Sequence, residues 1–376
     1  TPALAAHLGG AVDPLAPPDP RTVSIDERDQ AESAWWHYWA AKSPGLAEYL
    51  ATLSEIEGMN VEGDIEPGKV RVMREKARQT EKLEARWGAP TPPWKSVTAN
   101  TIWNIHNTPA SQISMLGHIT GLAFAPVGAC STFGLSLKLA MDTIRRGEAK
   151  AVVVGATDPP PHPLTVGAFY QARVISADGG VSKPLHGLRG THVAGGSVIW
   201  IIGDYDHFTA KGYRPFGMEP VAVGVSSDAH HIITPSSDGP LTAIRQALDE
   251  AEADPSEVGS WDLHATATPG DYLEVKNLRA ILPETVLVTA RKGTFGHGMG
   301  GGGGWELTAQ YLGYERGRIF PTPLAPGQLH PTIGRVHERF VFDQDVEPPP
   351  GLAGKLSMGI GGINACVISR PLDTKR

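Results

Sequence analysis

APVGACSTFGLSLKLAMDTIRRGEAKAVVVG, residues 125–155, reads as a strand-like segment, a helix and a strand, with Cys130 at the first junction. Phe133, Leu137, Leu139, Ala140 and Ile144 fall at helical spacing, and Arg145 and Arg146 precede Gly147, so a helix is predicted over 131–146. A thiol placed there meets the unpaired N–H groups and positive dipole end of the helix, which favour a thiolate and can also hold an oxyanion. A lone cysteine is more often a small buried hydrophobe. The junction by itself leaves both readings open.

From about residue 96 the chain alternates short β-type runs with helices, the signature of an α/β protein. Strands are expected over 151–155, 197–203, 220–225 and 285–290, and helices over 239–253, 271–281 and 305–316 as well as 131–146. KLSMGIGGINACVISRP, residues 355–371, reads as two strands around a glycine turn. No repeat occurs at a fixed period. Ahead of this core, residues 1–20 form an Ala/Pro-rich arm, and a helical stretch runs through Trp35, Trp36 and Trp39 to about Leu53. The expected division is an N-terminal arm and helical extension over 1–95 and a core over 96–376.

A second helix over 69–86 carries seven Lys or Arg against three Glu, an excess of four positive charges in a chain whose formal net charge is −7. It is either a solvated helix face or a dock for an acidic partner. The 376 residues, 41% hydrophobic and 19% charged, have the composition of an ordinary soluble globular protein. The acidic balance argues against general affinity for nucleic acid or anionic membrane. Two distant cysteines offer neither zinc spacing nor a disulfide framework, and no long apolar span or signal-like segment is present. A cytoplasmic protein with no membrane insertion is the expectation.

Two further strand-to-helix junctions carry reactive side chains. His264 follows Trp261-Asp262-Leu263, and Lys292 and His297 lie in VLVTARKGTFGHGMGGGGGWELTAQYL, with Glu306 nine residues beyond His297. Strand C-terminal ends are where α/β folds place working groups. A thiolate that accepts an acyl group, with two imidazoles beside it to hydrogen-bond a second thioester carbonyl, suits acyl transfer with carbon–carbon bond formation. Lys292 and Glu306 would form a buried pair, whose members must stay together because one unpaired charge in a core is costly.

These segments resemble the motifs of the elongating, decarboxylative β-ketoacyl-acyl-carrier-protein synthases. GACST at 128–132 resembles the family's nucleophile motif, HATATP at 264–269 its HGTxTP, KGTFGH at 292–297 its KxxxGH, and GIGGIN at 359–364 its GFGGxN. SSDAHH at 226–231 and ARVIS at 172–176 also resemble family stretches, and PVGAC leans toward the synthase domains of type I fatty acid synthases. The likeness covers about residues 96–370. It implies a thiolase-like fold, with two pseudo-repeated α-β-α layers giving a five-layered α-β-α-β-α order. It further implies Cys130 as nucleophile, His264 and His297 as the decarboxylating pair with Lys292, and Glu306 as the partner of Lys292. The backbone N–H groups of Cys130 and Ile360 match the oxyanion hole, and Thr266 and Thr268 the threonines that bind the pantetheine arm. Phe133 and Ile360 stand where relatives shape the acyl pocket. The family brings no metal and no organic cofactor; its substrates, acyl and malonyl groups, arrive on acyl carrier protein, in fatty acid or polyketide elongation, and its members are homodimers.

The chain departs from the family in several places. The interval from His264 to Asp271 is one residue shorter, so neither Asp271 nor Glu274 receives a role by position. Ile360 replaces the phenylalanine gate, Phe133 is bulky, the opening VxxTGxG-like strand is missing, and KPLHGLRGTHVAGG lacks the acidic residues of the corresponding family loop. The run Gly300–Gly304 has no following Lys-Ser or Lys-Thr for a phosphate cradle and is read as close backbone packing. His230 and His231 are expected to be structural and Cys366 to be a packed strand thiol. A thiolase-type acyltransferase and a catalytically silent partner subunit are the alternatives.

Overall fold

A computed structural model describes residues 24–59, 66–88, 102–103, 105–176 and 183–372. The arm expected over 1–20 and the boundary expected at 95/96 lie outside the described residues. The chain divides into two compact units between Ile105 and His106.

The first unit holds helices α1 (Ile25–Lys42), α2 (Pro44–Gly58) and α3 (Glu66–Arg86). The single helical stretch expected through Trp35 to Leu53 is broken at Ser43. The Ser43 hydroxyl accepts from the Leu46 N–H at 3.3 Å and Pro44 takes the first helical position, so residue 43 ends one helix and caps the next. Ile56 of α2 and Leu83 of α3 are buried, and the two helices pack together. Along α3, Arg71, Arg74, Arg78, Lys82 and Arg86 are exposed at three- and four-residue spacing. Two of them have partners within the unit, Arg78 with Glu75 at 2.6 Å and Arg86 with Glu48 at 2.7 Å.

In the second unit the helix read from the opening stretch is α5 (Thr132–Arg145), which follows α4 (Thr108–Gly117) and a 3₁₀ turn at Ala129–Ser131. The strand-like run ahead of Cys130 has no strand partner among the described residues. Strands β1 (Ala151–Asp158) and β2 (Gly196–Gly203) form an antiparallel pair. The second sheet has five strands: β3 (Met218–Ser227), β4 (Val258–Asp262), β5 (Leu287–Thr289), β6 (Leu352–Gly359) and β7 (Ile363–Pro371). Its order is β3-β7-β6-β4-β5, with β4 parallel to β5 and β6 and the other pairs antiparallel.

Among the helices between the strands are α6 (Pro163–Gln171), α7 (Tyr205–Thr209), α8 (Asp238–Glu250), α9 (Gly270–Arg279), α10 (Lys292–Phe295) and α11 (Met299–Glu315). Helices α5 and α11 pack on strands of both sheets and on each other, which makes them the central layer. Helix α8 covers the far face of the five-stranded sheet, with α9 beside it. This is the α/β layering of a thiolase-like fold. Among the described residues its two halves are unequal, with five strands in one sheet and two in the other. On the outer face of the β1–β2 pair Val153, Ile199 and Ile201 are exposed, while Val154 and Val198 face the central helices.

The helix expected from residue 305 begins at Met299 and takes the glycine run into its first turns. Glycine costs about 1 kcal/mol per helical position relative to alanine. Packing explains why it is present. A Cβ on Gly304 would lie 2.6 Å from both Phe133 Cδ2 and Val198 Cγ1, and one on Gly303 would lie 2.7 Å from Ser357 Oγ. The glycines therefore let α11 approach α5, β2 and β6 at backbone distance. Gly304→Ala separates the two effects: propensity alone would stabilise the helix by about 1 kcal/mol, whereas overpacking costs about 1–3 kcal/mol. Net destabilisation is expected in denaturant titration, with part of it recovered in Gly304→Ala/Phe133→Leu. A stabilised single variant would overturn this account of the contact.

Candidate active site

Ala129 holds a left-handed backbone, φ 48°, and turns the chain so that Cys130 stands at the head of α5. Ser131 Oγ donates to the carbonyls of Ser357 at 2.9 Å and Ile363 at 2.7 Å, fastening this elbow to the ends of β6 and β7. Between those strands, Gly361 and Gly362 take positive φ values of 92° and 74°, forming the turn that carries Ile360. Gly359 has no room for a side chain, because a Cβ would meet the Gly128 carbonyl at 2.6 Å. The two turns are thus pressed together. As a result, the backbone N–H groups of Ile360 and of Cys130 lie beside the Cys130 sulfur, where they favour its thiolate.

His297 follows α10 after Gly296, whose φ is 77°. Its main chain bridges His192 and Ala194, donating to the His192 carbonyl at 2.8 Å and accepting from Ala194 N–H at 2.9 Å. The Nε2 atom lies 3.2 Å from Cys130 Sγ. His264 leaves β4 one residue after its last strand hydrogen bonds, and its ring centroid is 5.5 Å from that of His297. Lys292 Nζ lies 3.4 Å from His264 Nδ1 and 2.7 Å from Glu306 Oε1. Sequence spacing alone paired Lys292 with Glu306. The fold also brings Cys130, His264 and His297 onto one cavity of about 120 Å³.

Thr266 and Thr268 line the same cavity, their hydroxyls 3.0 Å apart, and Ile360 lines it as well. Phe133, expected at the acyl pocket, does not line this cavity; it is fully buried, edge-on to Trp200 at 5.1 Å. The cause is the space left by Gly304, which draws the ring into the core between the layers. Cys366 is fully buried on β7, and burial pushes its thiol far up. His231 Nδ1 accepts from the N–H groups of Ile233 and Thr234, bracing one wall of the cavity.

Three residues of the site lack any role in the sequence reading. Glu274 accepts from the His264 and Ala265 N–H groups at 2.6 and 2.8 Å, and Asp271 accepts from Leu185, Thr266, Ala267 and Thr268. Despite the shorter interval before Asp271, both carboxylates reach from α9 to the backbone of the 264–268 loop. Lys355 is the third, at 1% exposure. Its ammonium lies 2.9 Å from Glu306 Oε2 and donates to the carbonyls of Leu263 at 3.2 Å and Leu356 at 2.5 Å. A single lysine within the apolar strand LAGKLSMG was the signal for it.

Electrostatics follow from burial. The Cys130 thiol is pushed up by desolvation, against the pull of the Ile360 and Cys130 N–H groups and of Lys292. Desolvation holds His297 down to about 3, with Lys292 acting in the same direction, and His264 well below its ordinary value for the same two reasons. Burial raises Glu274 to about 7 and Asp271 to about 6. Burial alone would raise Glu306; Lys292 and Lys355 outweigh it and keep the carboxyl ionised. The site therefore holds two neutral imidazoles beside a thiol, with N–H donors trained on the sulfur. Such a set can carry an acyl group and stabilise an oxyanion.

Residues 73–200 match the β-ketoacyl synthase N-terminal domain, and residues 219–324 match its C-terminal domain. The chain belongs to the β-ketoacyl synthase family. Over 255 residues it is 29% identical to the chloroplastic 3-oxoacyl-[acyl-carrier-protein] synthase I of Arabidopsis thaliana, covering 64% of this chain and 52% of the relative. Over 260 residues it is 30% identical to 3-oxoacyl-[acyl-carrier-protein] synthase 2 of Staphylococcus aureus, covering 65% and 62%. This synthase-family chain thus spans between about half and three fifths of the length of those curated relatives. Among solved structures it resembles a type II polyketide ketosynthase in complex with its acyl-carrier protein, with a TM-score of 0.69, 21% identity, and 76% and 72% of the two chains covered. It also resembles a β-ketoacyl synthase from Burkholderia phymatum, with a TM-score of 0.68, 20% identity, and 83% and 73% covered. At these identities the structural likeness establishes the fold. Among the described residues no helix is long and apolar enough to cross a membrane.

The two depressed histidines fix a sign for acid stability. Unfolded imidazole binds a proton near pH 6.5 whereas folded His297 does so only near pH 3, so stability is complete above about 6.5 and is lost as pH falls toward 3. The slope is about 1.4 kcal/mol per pH unit for each such group. His297→Gln is expected to flatten the pH dependence of unfolding free energy between about pH 6 and 5 by that amount. Comparing the two proteins cancels the opposite-signed contributions of Asp271 and Glu274, which both retain. Parallel curves would exclude a strongly depressed His297.

Proposed function

We propose that this protein is a decarboxylating β-ketoacyl synthase that takes an acyl chain onto Cys130 and extends it with a malonyl unit. The observation that carries this reading is the convergence of the Cys130 sulfur, two backbone N–H donors and two neutral histidines on one cavity. In the first half-reaction the sulfur attacks an acyl thioester. With its thiol pKa raised, Cys130 must lose its proton during attack, and His297 Nε2 at 3.2 Å is placed to accept it. Because imidazolium is so unfavourable there, the proton passes on to the departing carrier thiolate. The oxyanion of the tetrahedral intermediate meets the N–H groups of Cys130 and Ile360.

In the second half-reaction the bond between the malonyl carboxylate and its methylene breaks, carbon dioxide leaves, and the electron pair moves into the thioester as an enolate. Lys292 donates to His264 Nδ1, which leaves the ring's Nε2 as the N–H that can donate to the enolate oxygen. The enolate carbon attacks the acyl carbonyl, and collapse expels the Cys130 thiolate, which takes a proton. Acyl-Cys130, malonyl thioester and one proton thus become 3-oxoacyl thioester, carbon dioxide and free Cys130. Acyl carrier protein is the proposed bearer of both thioesters, with Thr266 and Thr268 at the pantetheine arm. A thiolase would call on a second cysteine as base, and Cys366 sits fully buried in a strand instead. A silent subunit has no reason to keep the whole constellation.

We further propose a homodimer. Ile119, Leu122, Phe124 and Val127 are exposed along the extended segment ahead of Cys130, an apolar run suited to pairing with a second copy. A dimeric mass by light scattering is expected; a monomer at working concentration would overturn this.

Incubation with acyl thioesters should add one acyl mass to the intact protein and none to Cys130→Ala. His264→Ala and His297→Ala should lower carbon dioxide release from malonyl thioester by about 10²–10⁴-fold, the usual span for lost acid–base or oxyanion groups. Condensation with acetyl thioester as extender, without carbon dioxide release, would favour a thiolase.

A further inference from the structure

The charge cluster under the two histidines contains one more cation than the pairing of Lys292 with Glu306 requires. Glu306 stands between two ammonium groups: Lys292 lies 2.7 Å from Oε1 and Lys355 lies 2.9 Å from Oε2, and all three side chains are at most 3% exposed. Lys355 Nζ lies against three groups: Glu306 on α11 as an ion pair, and the Leu263 carbonyl at the exit of β4 and the Leu356 carbonyl in its own strand β6 as hydrogen-bond acceptors. Leu263 immediately precedes His264. Strand β6 leads, four residues after Leu356, into the turn that presents the Ile360 N–H. One ammonium therefore joins the element that starts His264, the element that leads to the oxyanion donor, and the carboxylate that partners Lys292.

We infer that Lys355 is a positioning residue for decarboxylation, sharing Glu306 with Lys292 so that the Lys292 ammonium keeps uncompensated positive charge against His264 Nδ1. This rests on the proposed condensing function. Were Glu306 paired to Lys292 alone, the pair would be neutral and its field at His264 weak. With Lys355 present the three groups carry one net positive charge. That charge opposes protonation of His264 and keeps Nδ1 as the acceptor, so the ring offers Nε2–H to the developing enolate. The other charged groups facing Lys355 are Asp262, itself 3.3 Å from Arg291 Nε, and Glu274 under the His264 backbone. Asp262 and Lys355 are register partners on β4 and β6. Arg291 balances Asp262, and Glu274 is the only further carboxylate among these neighbours. His297 feels Lys292 and Lys355 in the same sense, together with His192.

Two substitutions separate charge from scaffold. Lys355→Gln retains donors for the Leu263 and Leu356 carbonyls and removes the charge; Lys355→Arg retains the charge. Carbon dioxide release from malonyl-coenzyme A is followed against pH for both and for the unaltered protein. In Lys355→Gln the acid limb of kcat is expected to move up by about one pH unit, with kcat near neutrality about tenfold lower and KM little changed. In Lys355→Arg the limb is expected to stay in place. If the Gln variant folds, as judged by an unchanged Tm, and its pH profile superimposes on that of the unaltered protein, Lys355 is scaffold only and the inference fails. A parallel displacement in both variants would equally reject a charge effect. Should the Gln variant not fold, Lys355→Met/Glu306→Gln leaves Lys292 as the cluster's one ammonium and is expected to keep the original acid limb; a displaced limb there overturns the proposal. Absence of carbon dioxide release from the unaltered protein would instead reject the condensing function itself.

Discussion

An ionised carboxylate with an ammonium on each side, all three out of water, is the interaction on which the rest of the site depends. Desolvating each ion costs several kcal/mol, and the mutual attraction offsets this only where geometry is tight and the remaining donors are satisfied. Glu306 turns one oxygen to each lysine, Oε1 hydrogen-bonded by Lys292 and Oε2 in ion-pair contact with Lys355. The three charged groups come from different places in the chain, Lys292 from α10, Lys355 from β6 and Glu306 from α11, so the cluster can form only when those elements are all seated. Assembly of the charges and assembly of the catalytic geometry are consequently one event. Removing Glu306 would leave two buried cations facing each other, a worse state than a cavity of the same volume.

Close approach of α11 is the steric half of the same requirement. Glu306 reaches both lysines because the turns before it lie at backbone distance from β2, β6 and α5, which the glycines permit. Phe133 and Gly304 form a matched pair across that contact: one large, one without a side chain. Elsewhere in the unit the layers are held by conventional apolar packing, with Trp261, Leu263 and Ile244 in one cluster and Leu137, Val198 and Leu307 in the other.

Much of this was legible in the sequence, and the parts that were not share a physical cause. Periodicity located α5, α8 and the strand cores, and the motif residues Cys130, His264, Lys292, His297 and Glu306 do meet in space. Boundaries failed where a local rule was overridden. Glycine propensity argued against helix at 300–304, yet tertiary packing imposed it; a continuous apolar pattern hid the Ser43–Pro44 break; and Phe133, read by its distance from the nucleophile, turned into the core because its partner lies 171 positions away at Gly304. Lys355 was missed for a related reason. Period-two alternation assigns a strand residue to a face but says nothing of which carboxylate from another helix will meet it. Asp271 and Glu274 escaped because a count of residues was used where the relevant quantity was the reach of a carboxylate to backbone N–H groups.

Neutral histidines beside net positive charge make chemical sense for the proposed reaction. Decarboxylation does not create charge; it moves one unit from a carboxylate, which departs as neutral carbon dioxide, to a thioester oxygen a few ångströms away. A donor that is already cationic would bind the starting carboxylate as firmly as the product enolate, and such uniform binding lowers no barrier. A neutral N–H fixed where the oxyanion appears discriminates between the two. Both imidazoles line the cavity and neither lysine does, Lys292 meeting His264 at Nδ1. Desolvation keeps the rings neutral and the cations act in the same direction, and in the proposed reaction neither cation offers the malonyl carboxylate a direct partner. Burial and positive charge, which separately look like penalties on a histidine, act together to keep these two neutral, the form the proposed reaction calls for.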